Sequence, residues 1–249
     1  MKILICISNV PDTTTKIRFT DDNTKFDTTG VQWIINPWDE LALTRALELK
    51  EASGGAIEKV SVITVGPQSS EPTLRKALAI GADDAIRVNA EPTDAFAVAQ
   101  QIAEAVKDEN YDMIVAGVES SDYNGAAVGG MVAEFLGIAS VSSVSGIDLT
   151  DGKFQVKREI DGGTESVDVE TPFVAVIQKG VAIVPRIPSM RGIMQARTKP
   201  LKVVDPAEAQ NTTEFIRYEL PPAKAACKMV DPENMDELVS LLHTEAKVL

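Results

Sequence analysis

Residues 59–88 read K-V-S-V-I-T-V-G-P-Q-S-S-E-P-T-L-R-K-A-L-A-I-G-A-D-D-A-I-R-V. Lys59–Val65 is rich in β-branched residues and is closed by Gly66-Pro67, so it reads as a strand buried in a sheet. Glu71–Ile80 reads as a helix, ended by Gly81 at the position where a residue of positive φ is wanted. Ala85–Val88 returns to strand. A strand, a helix and a strand at this spacing form a right-handed crossover between parallel neighbours.

The same alternation extends in both directions. Lys2–Ile7 (K-I-L-I-C-I) is a continuous apolar run, the pattern of a strand covered on both faces. A polar stretch follows to Gly30, with Lys16–Phe19 as a short strand. Asn36-Pro37 opens a helix, Asn as N-cap and Pro in the first turn, that runs to Gly54-Gly55. Thr93-Asp94 caps another helix, with Phe96, Val98, Ala99, Ile102, Ala103 and Val106 at helical spacing. Tyr111–Gly117 is a strand, and a helix through Val128, Met131, Val132 and Phe135 stops at Gly137. Val141–Val144 and Phe173–Ile177 are further strands. Between them, Phe154–Ile160 and Glu165–Val169 form a hairpin around the acidic glycine turn Asp161-Gly162-Gly163. The expected class is α/β: an open, mostly parallel sheet with an added β-hairpin and a C-terminal arm ending in a helix. Residues 1–204 would form the body, with the hairpin at 154–169 and a basic loop at 185–197. Residues 205–249 would form the arm. Its helix, Glu233–Lys247, carries Met235, Leu238, Leu241 and Leu242 on one face and packs either on its own body or on a partner chain.

A formal charge of −13 over 249 residues argues against nucleic acid as a partner. The two cysteines, Cys6 and Cys227, lie far apart and form no C-x-x-C, so neither a zinc site nor a redox dithiol is supported. No apolar run approaches the ~20 residues of a membrane span. The chain opens directly on a strand, without a basic-then-apolar leader, which makes a cytoplasmic location the expectation. The lone histidine, His243, sits on the terminal helix, a poor place for a general base. No nucleophile-elbow, zinc-protease or P-loop motif occurs, so the chain is not expected to be an enzyme.

Ligand binding is better supported. Open parallel sheets bind ligands beyond the carboxyl ends of their strands. Cys6–Asn9, Val65–Gly66, the loop before Asn36 and the segment Gly117–Gly130 would gather there. The last reads G-V-E-S-S-D-Y-N-G-A-A-V-G-G and runs into a helix. Small residues at Gly125, Ala126, Ala127, Gly129 and Gly130 suit either a phosphate on a helix N-terminus or close packing on the sheet. In Pro185–Arg197 (P-R-I-P-S-M-R-G-I-M-Q-A-R), Met190, Ile193 and Met194 stand among Arg186, Arg191 and Arg197. They suit either a small lid or adaptable contacts with several partners.

Taken together, these motifs resemble the electron transfer flavoprotein β subunit. The likeness rests on V-K-R-E-I-D-G-G-x-E-x-V-x-x-x-x-P-x-V-A at Val156–Ala175, K-I-R-F at Lys16–Phe19, I-N-P-W-D-E at Ile35–Glu40, R-K-A-L-A-I-G-A-D at Arg75–Asp83 and the Pro185–Arg197 segment. The resemblance implies a body of the adenine-nucleotide-binding type paired with an α subunit that holds most of the redox FAD. That flavin would take electrons from acyl-CoA and similar dehydrogenases and pass them to a membrane quinone oxidoreductase. It implies a non-redox AMP in this chain, contacted by Cys6, Asn36, Val65, Asp122, Asn124, Gly125, Ala126, Ala127, Val128, Gly129 and Gly130. In a bifurcating relative a second FAD would lie there instead. Met190 would be the anchor of a recognition loop, ringed by Arg186, Arg191 and Arg197 with Ile193 and Met194. Glu159 would be an unpaired carboxylate steering the partner's flavin domain. The sequence departs from the family at Ala126–Gly129, where AMP-type members carry N-x-T-G, and at Thr13, where an aromatic is common. Of the bifurcating pattern T-A-Q-V-G-P it keeps Ala126, Val128 and Gly129. AMP is the favoured reading, with the second FAD, or a stand-alone nucleotide-binding regulator, as alternatives.

Overall fold

Strand β1 (Lys2–Cys6) turns Ile3 and Ile5 to one side of its sheet and Leu4 and Cys6 to the other, and all four are buried. A strand with two apolar faces belongs at the centre of a covered sheet. The computed structural model, which describes residues 1–224 and 226–249, places it there.

The other strands of the sheet are β2 (Lys59–Val65), β3 (Asp84–Val88), β4 (Met113–Gly117), β5 (Ala139–Thr150), β6 (Lys153–Ile160), β7 (Gly163–Val169), β8 (Phe173–Ile177) and β9 (Leu201–Val204). Their spatial order is β7-β6-β5-β8-β4-β1-β2-β3-β9. Every ladder is parallel except the two made by β6, which pairs antiparallel with β5 and β7. Helices α1 (Pro37–Ala52) and α2 (Glu71–Ile80) cover one face, with Leu43, Leu47, Leu74 and Leu78 in its core. Helices α3 (Ala95–Val106) and α4 (Val128–Leu136) cover the other, over Ile63, Ile102, Ile114 and Val132. The expected α/β class, with hairpin and terminal arm, is the observed one.

Local chemistry accounts for the helix ends. Asp94 caps α3 by accepting Ala97 N–H at 2.7 Å, and Gly137 ends α4 in the left-handed conformation at φ +65°. Gly81 ends α2 at φ +152°, wider than a left-handed cap, and a Cβ there would stand 2.8 Å from Leu47 Cδ1. Glycine is thus required twice over, by dihedral and by space.

Several elements differ from expectation. β5 runs over Ala139–Thr150, not only Val141–Val144. Its buried residues, Val141, Val144 and Ile147, fall three apart because Ser143 adopts φ +56° and the pairing register slips beside it. A bulge of this kind hides the two-residue period by which strands are read. The basic loop contains a helix, α5 (Met190–Ala196), whose Ser189 cap accepts Gly192 N–H at 3.0 Å. β9 forms an edge strand beside β3. Outside the main sheet, Asn9–Pro11 pairs with Trp33–Ile35, and Phe19–Thr20 pairs with Lys25–Phe26, displaced from Lys16–Phe19. The terminal helix α6 (Met235–Leu241) is shorter than expected and continues as a wider π-type turn over Leu242–Ala246. Among the described residues, no helix is long and apolar enough to cross a membrane.

Candidate functional site

Chain order places β2 and then β3 on one side of β1, and β4 on the other. The winding therefore reverses between β1 and β4, and a crevice opens beyond their carboxyl ends. The N-terminus of α1 closes the floor of that crevice. Asp39 is 2% exposed. Its carboxylate accepts Ser8 N–H at 2.8 Å, just past β1, and Gly117 N–H at 3.0 Å, at the end of β4. Asn36 sits at the cap position of α1 but makes no side-chain capping bond. Its amide instead donates to Glu119 O at 2.9 Å and accepts Ser121 N–H at 3.2 Å. One helical turn thus fastens both strand ends and the start of the following loop.

Burial pushes the Asp39 carboxyl up to about 7, against the pull of the hydrogen bonds from Ser8, Asn36 and Gly117. Burial, helped by the nearby Asp39, pushes the Cys6 thiol up to about 12. Cys6 is a packed core thiol, inert at neutral pH. Val65 ends the adjacent strand, and Thr64 donates to Ile7 O at 2.7 Å. Beyond it, buried Arg87 donates to Gly66 O at 3.0 Å and to Asn89 Oδ1 at 2.7 Å. The turn after β2 is held from below in this way.

The Gly117–Gly130 segment crosses the mouth of the crevice. Asp122, Asn124, Gly125 and Ala126 are exposed. Asn124 and Ala126 both take positive φ, +51° and +48°, so the loop turns its backbone sharply before α4. Ala127 at the cap position offers no side-chain acceptor, which leaves the first N–H groups of α4 for another acceptor. The glycines divide by role. A Cβ on Gly125 or Gly130 would meet nothing within 4 Å, whereas one on Gly129 would stand 2.7 Å from Val176 Cγ2. Gly129 serves close packing on β8, and Gly125 and Gly130 keep the mouth open. These features fit a phosphate received by backbone groups.

The family profile described as electron transfer flavoprotein domain matches residues 23–209. The chain belongs to the electron transfer flavoprotein family. It is 38% identical over 235 residues to the electron transfer flavoprotein subunit beta of Syntrophomonas wolfei, covering 94% of this chain and 91% of that one. It is 33% identical to the Bacillus subtilis subunit beta, with both chains covered completely. It is also 36% identical over 211 residues to the acryloyl-CoA reductase electron transfer subunit gamma of Anaerotignum propionicum, covering 82% of this chain and 78% of that one. The role of this electron transfer flavoprotein chain is therefore flavin-linked electron transfer as a β-type subunit.

Two further surfaces of this electron transfer flavoprotein chain hold the remaining expected residues. Glu159, on β6, borders a cleft of about 470 Å³ lined also by Trp38, Val118, Gln178, Lys179 and Gly180. Trp38 and Val118 tie this cleft to the crevice. The Glu159 carboxylate accepts Gln178 Nε2–H, from a neutral amide, at 2.6 Å, and among the described residues no cation pairs with it. Gln178, just past β8, also donates its N–H to Val144 O of β5 at 2.8 Å. Met190 is 78% exposed on α5, with Met194 and Ile193 also outward. Arg191, in the first turn of α5, and Arg197, at its C-cap, are both exposed. Arg186 does not join them freely, because Glu51 of α1 takes its guanidinium in two bonds of 2.7 Å.

The sequence reading missed Asp39, Thr64 and Arg87. An acid in a first helical turn ordinarily answers the helix dipole, so Asp39 carried no signal of burial. Arg87 lies in a strand whose flanking residues are apolar, and that was the one signal available.

Proposed function

We propose that the chain is the β subunit of a heterodimeric electron transfer flavoprotein. Its α partner holds most of the redox FAD. The dimer takes electrons from acyl-CoA and related dehydrogenases and delivers them to a membrane quinone oxidoreductase. This chain contributes no catalytic residue of its own. It binds AMP in the crevice between β1 and β4, with Cys6, Asn36 and Val65 at its floor and Asp122 to Gly130 at its mouth. The observation that carries this reading is the open backbone loop before α4, set at the switch point and fastened there by Asn36 and Asp39. The exposed apolar ridge of α5 supports Met190 as the contact for electron donors, with Arg191 and Arg197 beside it. Glu159 and the adjoining cleft support a docking face for the flavin domain of the α subunit. A single exposed anchor with charged neighbours suits weak, fast docking with several partners.

A second reading places another FAD in the same crevice. It is favoured by Ala126, Val128 and Gly129, which the loop before α4 shares with the bifurcating pattern. Co-expression with a matching α subunit, followed by acid extraction of the purified dimer, separates the readings. One FAD and one AMP per dimer supports the carrier, and two FAD supports the second reading. A colourless dimer, or no dimer, sinks both.

A further inference from the structure

Beyond β9 the chain does not leave the body at once. Gln101 of α3, although buried, clamps the backbone of Ala207, donating to its O at 2.7 Å and accepting its N–H at 2.9 Å. The second carboxylate oxygen of Asp94 accepts four bonds from the arm: Thr212 N–H at 2.6 Å, Thr212 hydroxyl at 2.9 Å, Thr213 N–H at 2.9 Å and Thr213 hydroxyl at 3.3 Å. The arm then crosses the carboxyl edge of the sheet. Phe215 lies 5.0 Å from Tyr123 of the loop after β4, and stacks on Tyr218 at 5.8 Å. Tyr218 stacks on Phe19 at 5.0 Å, and its N–H donates to Asn23 O at 2.8 Å, both in the small hairpin after β1.

These contacts join the two loops that flank the crevice. Tyr123 immediately precedes Asn124–Gly130, and Phe19 follows β1, so a row of four rings spans the opening from one bank to the other. We infer that residues 207–218 are the roof of the crevice, with Phe215 and Tyr218 as positioning residues that hold the loop of Tyr123 closed over a bound adenine nucleotide and set its exchange rate. The Asp94 clasp is the latch. Its other oxygen caps α3, so the latch stands on a rigid element and only the arm side need open. This inference rests on the nucleotide reading proposed above.

The test uses the dimer with its α subunit and radiolabelled AMP as the probe. In wild type, label should enter slowly in exchange for the resident nucleotide. Two double variants loosen the strap without touching the α3 cap: Thr212→Val with Thr213→Val removes the hydroxyl donors, and Phe215→Ala with Tyr218→Ala removes the rings. Each should take up label at least tenfold faster, with faster amide exchange in 207–218. Faster amide exchange with unchanged AMP uptake would overturn the roof while leaving the nucleotide reading intact. Wild type that yields no adenine nucleotide on extraction and takes up no AMP would overturn the nucleotide reading, and the roof with it.

Discussion

The carboxylate of Asp39 is buried where β1, β4 and α1 meet, and its two backbone donors leave it no water. An acid raised by burial to about 7 holds its proton in the folded chain at pH values where the unfolded chain, near 4, has released it. Folding stability from this group is therefore full below pH 4 and is lost as pH rises through 7, by on the order of 4 kcal/mol across the window. Asp39→Asn, close in shape to the protonated acid, should flatten the pH dependence of urea unfolding between pH 4.5 and 7.5. A variant with the wild-type slope would mean that Asp39 stays ionised throughout. Met190 poses the opposite case, a large apolar side chain left in water with nothing in the fold to explain it. Met190→Ala should leave stability within about 0.5 kcal/mol, as for an exposed position, and leave flavin content unchanged. Electron acceptance from dehydrogenases should slow at least several-fold. Unaltered rates across several donors would remove the anchor assignment.

Helix α5 is held in place by reciprocal capping with α2. Arg75 of α2 donates to Ala196 O and Lys199 O at the end of α5, both at 2.8 Å, and Lys199 donates back to Leu78 O at 3.0 Å and Ala82 O at 2.6 Å at the end of α2. The contact is close enough that a Cβ on Gly192 would run into the carbonyl oxygen of Ala79. Backbone cannot swing aside as a side chain can, so Gly192→Ala should push α5 off α2 and cost about 1–3 kcal/mol, seen in urea unfolding. The same variant should slow electron acceptance as Met190→Ala does, and normal rates would show that donors do not need α5 in this seat. The sequence hid this element because Pro185, Pro188 and Gly192 read as loop chemistry, and the forces that make it helical come from α2. The inner elements were legible for the opposite reason. β2, α2 and β8 match their expected limits because each is an apolar run bounded by its own punctuation: Gly66-Pro67, Gly81 and the proline before Phe173. Where tertiary contacts override local pattern, as at the bulged β5 and the exposed edge β9, the reading fell short.

At the scale of the whole chain, the crevice was legible and its covering was not. Parallel alternation puts a ligand site beyond the carboxyl ends of the strands, so Cys6–Asn9, Val65–Gly66 and Gly117–Gly130 are expected to gather there, whereas the individual nucleotide contacts rest on the family resemblance. The strap was hidden, because Asp94 and its threonines stand 118 and 119 residues apart and the arm carries no period to reveal its path. The arm divides into two parts of different physics. Residues up to Tyr218 are tied to the body by the bonds of Gln101, Asp94 and Asn23. Beyond Glu219 the chain exposes Leu220, Met229, Met235, Leu238 and Val239, and no residue of α6 is buried. Apolar side chains in that number, left in water, suit a partner's surface, and we propose that this tail packs on the α subunit. Ending the chain after Glu219 should then separate folding from assembly. The shortened chain should keep its circular dichroism and a Tm within about 3 °C, since a body of this size shifts by roughly 2–4 °C per kcal/mol and little packing is lost. Its affinity for the α subunit, measured by titration, should fall at least tenfold, which is about 1.4 kcal/mol. A shortened chain that unfolds would place the tail in the body's own core, and one that binds the α subunit as wild type does would give the tail to another partner.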